Sequence, residues 1–135
     1  AFCNIDQPVI GDSLSPSALA TVAPAYARLH GRRYDTWFAD GIASHERYDY
    51  RYASEELEEW TERVAGLAAR VHPTLVIANN HFRGKAVATA LELRSRLEGA
   101  PALAPACLLR AYPDLKKHCR TDSESDGPAE QLELF

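Results

Sequence analysis

The sequence predicts an α/β fold in which parallel strands are flanked by helices. Three observations predict it. Residues 74–79 (Thr-Leu-Val-Ile-Ala-Asn) are apolar on both faces, the pattern of a strand buried in a parallel sheet. Residues 54–71 carry Leu57, Trp60, Val64, Leu67 and Val71 at spacings of three and four, which makes one continuous helical stripe. A second helical segment, 85–98, follows the strand, and strands alternating with helices over short connections characterise parallel α/β proteins.

Along the chain, residues 1–6 read as a short strand ending on Asp6 and stopped by Pro8. Residues 11–23 hold Gly, Ser and Pro and read as a loop. Residues 24–30 read as a second strand. Period two sets Tyr26, Arg28 and His30 on one face and Ala25, Ala27 and Leu29 on the other. A polar face is unusual there, because buried parallel strands are normally apolar on both sides. Residues 31–53 exceed the roughly 12–15 residues of an ordinary loop. Trp37, Phe38, Tyr48, Tyr50 and Tyr52 predict that this connection is ordered.

Ser54 is the expected N-cap of the first long helix, with Glu55 and Glu56 at the positive end of its dipole. The wider cluster of Glu55, Glu56, Glu58 and Glu59 reads as solvated charge. His72-Pro73 ends the helix. The second helix is expected to turn Val87, Leu91, Arg94 and Leu97 to one side. Pro101 and Pro105 mark a turn, and residues 106–119 read as a last helix interrupted near Pro113. From Thr121 onward the composition is that of a mobile tail. The expected division is a domain over 1–120 and a tail over 121–135.

The 135 residues suit one domain, with 46% hydrophobic and 25% charged residues. No apolar run approaches the roughly 20 residues of a membrane span, and no leader pattern stands at the N-terminus. A net charge of −4 argues against sequence-independent coating of nucleic acid, without excluding a local basic site. Three cysteines, an odd number with no CxxC pair, form neither a disulfide framework nor a zinc site, and a reducing cytoplasm is the expected compartment. The sequence contains no methionine, which predicts a processed, truncated or partly recorded chain. A closed (β/α)8 barrel takes about 250 residues, so a chain of this length fits half of one.

The residues suited to chemistry gather where the strands end. Asp6 follows the first strand, Arg28 and His30 end the second, and Asn79, Asn80 and His81 end the third. In parallel α/β folds that edge faces the ligand. Histidine serves as acid, base or metal ligand near neutral pH, and Arg28 suits a phosphate or carboxylate. The asparagines suit a developing oxyanion. The competing reading has Asn79 or Asn80 capping the next helix and His30 satisfying a loop carbonyl. Arg47-Tyr48-Asp49-Tyr50-Arg51-Tyr52 reads as a lid over the site, or as an interleaved surface on which bases stack. Metal-ligand spacing is absent, and the sequence leaves any cofactor unknown.

The last residues, Gln131-Leu132-Glu133-Leu134-Phe135, place apolar side chains in an otherwise acidic tail, the composition of a docking peptide. The segment resembles the QLxLF peptide by which bacterial replication and repair proteins bind the sliding clamp. Leu132, Leu134 and Phe135 would fill apolar pockets, and Gln131 would supply amide hydrogen bonds.

Tyr26-Ala-Arg-Leu-His30-Gly31-Arg32, Trp37, Tyr48-Asp-Tyr-Arg-Tyr52, Asn79-Asn80-His81 and Gly84, with the opening Cys3-Asn-Ile-Asp6-Gln-Pro8, resemble the YecE-like family, also catalogued as domain of unknown function number seventy-two. The match covers about residues 1–98. The resemblance implies a TIM barrel and brings no established reaction. It implies signature positions at Asp6, Tyr26, Arg28, His30, Asn79, Asn80 and His81, and several members end in a similar clamp-like peptide. The family's N-terminal half has no counterpart here, so the resemblance implies pairing with a second copy or with a missing N-terminal half. The expected function is a hydrolase-type enzyme on phosphorylated or nucleic-acid-derived substrates. His30 or His81 would be acid or base, Arg28 would hold the anion, Asp6 would complete the catalytic set, and Tyr26, Tyr48, Asn79 and Asn80 would bind substrate. The alternative is a non-catalytic module tethered to the clamp, or a remnant of a longer gene.

Overall fold

The structure is a computed structural model and describes residues 1–121. Three parallel strands, β1 (Cys3–Asp6), β2 (Ala25–Leu29) and β3 (Thr74–Ala78), lie in the order β1-β2-β3. The register sets Ile5 beside Arg28 and Arg28 beside Ile77. Alternation therefore gives one face to Cys3, Ile5, Tyr26, Arg28, Leu75 and Ile77. The other face carries Asn4, Asp6, Ala25, Ala27, Leu29, Val76 and Ala78.

The second face is the covered one. A short helix, α1 (Ser44–Arg47), lies within the long connection, and two longer ones, α2 (Ser54–Ala68) and α3 (Lys85–Glu98), pack on the sheet. Leu57, Trp60, Val64 and Leu93 meet Ala27, Leu29 and Tyr52 in the main core. The alternation read for β2 holds: Ala25, Ala27 and Leu29 are buried, and the Tyr26–Arg28 face is not.

The expectation that residues 74–79 are buried on both sides fails. Leu75 and Ile77 are each 44% exposed, because no element among the described residues lies over that face of the sheet. The strand is apolar on both sides, yet only the helix side is covered, and the sheet stays an open arc rather than a closed barrel.

Helix details differ from expectation for local reasons. Ala53, not Ser54, holds the N-cap position of α2. Glu56 reaches back to accept the Ala53 N–H at 2.8 Å, which is half of a capping box. The helix ends at Ala68, short of Val71. α3 has the expected bounds but buries Ala88, Thr89, Glu92, Leu93 and Ser95. Val87 and Leu97, read along one side of the helix, are exposed. Glu92 faces inward, where its carboxylate is held by Arg51 from the long connection at 2.8 Å and by Arg96 of the same helix at 3.0 Å.

The segment 106–119 divides into α4 (Ala106–Ala111), a 3-10 turn (Pro113–Lys117) and, from Cys119, a strand. Two short strands the sequence did not suggest, β4 (Ala102–Leu103) and β5 (Cys119–Arg120), pair in parallel. They enclose a small second core of Ala88, Ala102, Ala104, Leu109, Leu115 and Cys119. Gln131, Leu132, Leu134 and Phe135 lie outside the described residues. Among the described residues no helix is long and apolar enough to cross a membrane, and no group of three His, Cys, Asp or Glu is placed to hold a metal.

Candidate functional site

Parallel pairing delivers the C-terminal ends of all three strands to one edge. The ladder continues one residue past each strand end. His30 N–H donates to the Asp6 carbonyl at 2.9 Å, and Asn79 N–H donates to the Leu29 carbonyl at 2.7 Å. His30 and Asn79 thus extend the Tyr26–Arg28 face, and their side chains meet. Asn79 Nδ2 stands 3.1 Å from His30 Nδ1, and Arg28 Nη2 is 3.5 Å from Asn79 Oδ1. His81 Nδ1 stands 3.1 Å from the Asn79 carbonyl oxygen.

Aromatic rings wall this cluster. The Tyr48 ring centroid lies 5.8 Å from that of His30 and 6.1 Å from that of His81. Trp37 lies 6.1 Å from His30 and 6.0 Å from Tyr48, edge-on to both. Of the residues expected at the site, Arg28, His30, Tyr48, Asn79 and His81 come together, and Tyr26 shares their sheet face.

The electrostatics follow from the packing. Partial burial, and then the positive charge of Arg28, lower the His30 pKa, with Asp6 opposing them. The imidazole is therefore neutral at pH 7. Arg28 has no carboxylate partner among the described residues, and its buried Nε has no hydrogen-bond partner. A guanidinium left unpaired beside a neutral histidine suits an incoming anion.

Asp6 and Asn80 are placed differently, because they fall on the helix side of the sheet. Asp6 is fully buried. Arg32 holds it through Nε at 3.0 Å and Nη2 at 2.8 Å, and the Tyr52 hydroxyl donates to it at 2.6 Å. Arg32 also reaches Glu56, which accepts from the Tyr50 hydroxyl at 2.8 Å. Burial and the Asp6 carboxylate push the Tyr52 pKa upward, so its hydroxyl stays a donor. Gly31 is required beside this network: its φ is +89°, and an added Cβ would lie 2.5 Å from that of Tyr50. Asn80 donates to the Tyr50 carbonyl at 2.8 Å and to Thr89 Oγ1 at 3.0 Å. Neither asparagine caps α3, whose N-cap is Gly84 with no side-chain bond.

The 47–52 segment therefore splits by residue. Tyr48 faces the site, Tyr50 and Tyr52 turn inward to carboxylates, and Arg51 pairs with Glu92 and Asp114. Glu56, expected in solvent, is part of that inner network. Trp37 was missed as a site residue, although a tryptophan in a long polar loop is a usable signal. Arg32 and Glu56 carried none, because their partners are far away in sequence.

A protein from Thermotoga maritima, described as a DUF72 family protein, superposes with a TM-score of 0.66 at 37% identity, covering 72% of this chain and 36% of that one. A DUF72 family protein from Enterococcus faecalis gives 0.62 at 25% identity, covering 71% and 36%. The UPF0759 protein YunF of Bacillus subtilis is 33% identical over 86 residues, 60% of this chain and 30% of that protein. The chain thus spans about a third of the length of these relatives. The family described as "Protein of unknown function DUF72" matches residues 1–111, and the chain belongs to that family.

Proposed function

We propose that the strand-end cluster belongs to a hydrolase-type active site that takes a phosphorylated substrate, either a small metabolite or a nucleic-acid-derived one. The observation that carries this reading is Arg28, unpaired and partly buried beside a neutral His30. Arg28 would take two phosphate oxygens in a forked contact. Of His30 and His81, one would give or take the proton and the other would donate to the anion, Asn79 would orient them, and Tyr26 and Tyr48 would flank the substrate. Asp6 and Asn80 support the site from behind rather than touching substrate. The rest of the pocket would come from the family's remaining strands or from a second copy, set against the uncovered face of Leu75 and Ile77. The test is release of inorganic phosphate from nucleoside monophosphates and sugar phosphates. We expect turnover that falls at least about 100-fold in His30→Gln. No turnover, or equal turnover in the variant, contradicts the reading.

A second reading rests on the tail pattern of Gln131, Leu132, Leu134 and Phe135. Docking of that peptide on the bacterial sliding clamp would bring the site to replication or repair, with or without chemistry of its own. Titration against the clamp should give binding that disappears when residues 131–135 are deleted. Binding unaffected by the deletion would rule it out.

A further inference from the structure

We infer that Asn79 gives the two histidines of the site opposite roles: its side chain fixes His30 as a donor at Nε2, and its main-chain carbonyl fixes His81 as an acceptor at Nε2. The inference rests on the proposed site for its use, but not for its chemistry. A guanidinium can only donate, so the Asn79 oxygen faces Arg28 and its NH2 group faces His30. That NH2 can only donate, so His30 Nδ1 must accept and carries no proton. The proton of the neutral ring therefore sits on Nε2, which has no hydrogen-bond partner among the described residues. Protonating Nδ1 would set one N–H against another. His81 is governed by the opposite logic. A carbonyl oxygen can only accept, so His81 Nδ1 carries the proton, and Nε2 of the neutral ring is left with its lone pair.

The consequence is a specificity in donors and acceptors. A ligand meets N–H groups at Arg28 and His30 and a bare nitrogen at His81. The fitting ligand has an oxyanion, a phosphate above all, with an O–H group on the His81 side. In hydrolysis the water oxygen forms the new bond to phosphorus and its proton passes to His81 Nε2. The ester oxygen leaves with the electron pair of its broken P–O bond and takes a proton back from His81. His30 donates a hydrogen bond to the phosphoryl oxygen throughout and transfers no proton.

Long-range nitrogen–proton correlation spectra above pH 8 read the tautomers directly, with the rings assigned from His30→Gln and His81→Gln. We expect His30 protonated on Nε2 and His81 on Nδ1. His81 is the more telling ring, because an unconstrained imidazole prefers the Nε2–H form. In Asn79→Asp a carboxylate faces His30 Nδ1. That ring should switch to the Nδ1–H form with its pKa raised by about one unit or more, while His81, held by the main chain, should not change. Should that variant fail to fold, Arg28→Gln releases the amide to turn, and His30 should become a mixture of tautomers. An Nε2–H form of His81, or an unchanged His30 in these variants, overturns the inference. No ligand enters the measurement, so a failure of phosphate turnover leaves the tautomers standing. A failure of the tautomers leaves anion binding by Arg28 to be measured separately.

Discussion

Asp6→Ala should destabilise the chain by about 3–5 kcal/mol in urea unfolding, the cost of removing one partner from a buried ion pair. Asp6 is fully buried at the end of β1, and both its oxygens are engaged, Oδ1 by Arg32 and Oδ2 by Arg32 and Tyr52. Removing them leaves Arg32 with only Glu56 at 3.2 Å and Glu59 at 3.7 Å, and leaves the Tyr52 hydroxyl without its carboxylate partner. Tyr52→Phe keeps the ion pair and removes one hydrogen bond, so about 1–2 kcal/mol is expected. The network ties β1 to the start of α2 through residues 31–56. Its loss should therefore also free Tyr48 and Trp37 from the wall around His30. A loss below about 1 kcal/mol for Asp6→Ala would show that the carboxylate does not anchor this connection.

Arg28→Gln should weaken binding of inorganic phosphate by about 10–100-fold, as expected for a charge-assisted contact of roughly 1.5–3 kcal/mol. The same variant should change stability by less than about 0.5 kcal/mol, because Arg28 holds no carboxylate and covers no core residue. The pair of variants separates two uses of charge in one sheet. Asp6 and Arg32 neutralise each other on the helix side, whereas Arg28 keeps its charge for the open side. Equal phosphate affinity in Arg28→Gln would remove that residue from the site.

The parts legible in the sequence are those set by local pattern. Period two placed Tyr26, Arg28 and His30 on one face of β2, and the stripe of Leu57, Trp60, Val64 and Leu67 marked the buried side of α2. What stayed hidden depends on partners distant along the chain. The face of α3 could not be read from Val87, Leu91 and Leu97, because Glu92 is buried only when Arg51 reaches it from 41 residues away. The β4–β5 pair has two residues per strand, too few for a pattern. β3 looked doubly buried because side-chain alternation records what a strand is built to contact, and the described residues supply only one of those layers. Strand ends and polar residue types were enough to name Arg28, His30, Asn79 and His81, which the structure sets side by side. They could not separate these from Asp6 and Asn80, which differ by falling on the other side of the pleat.

The most direct measurement is a crystal structure of the chain grown with inorganic phosphate. The strand-end site predicts phosphate oxygens within hydrogen-bond distance of both the Arg28 guanidinium and His30 Nε2. Phosphate held only by surface arginines, with Arg28 and His30 free of it at saturating concentration, would contradict it.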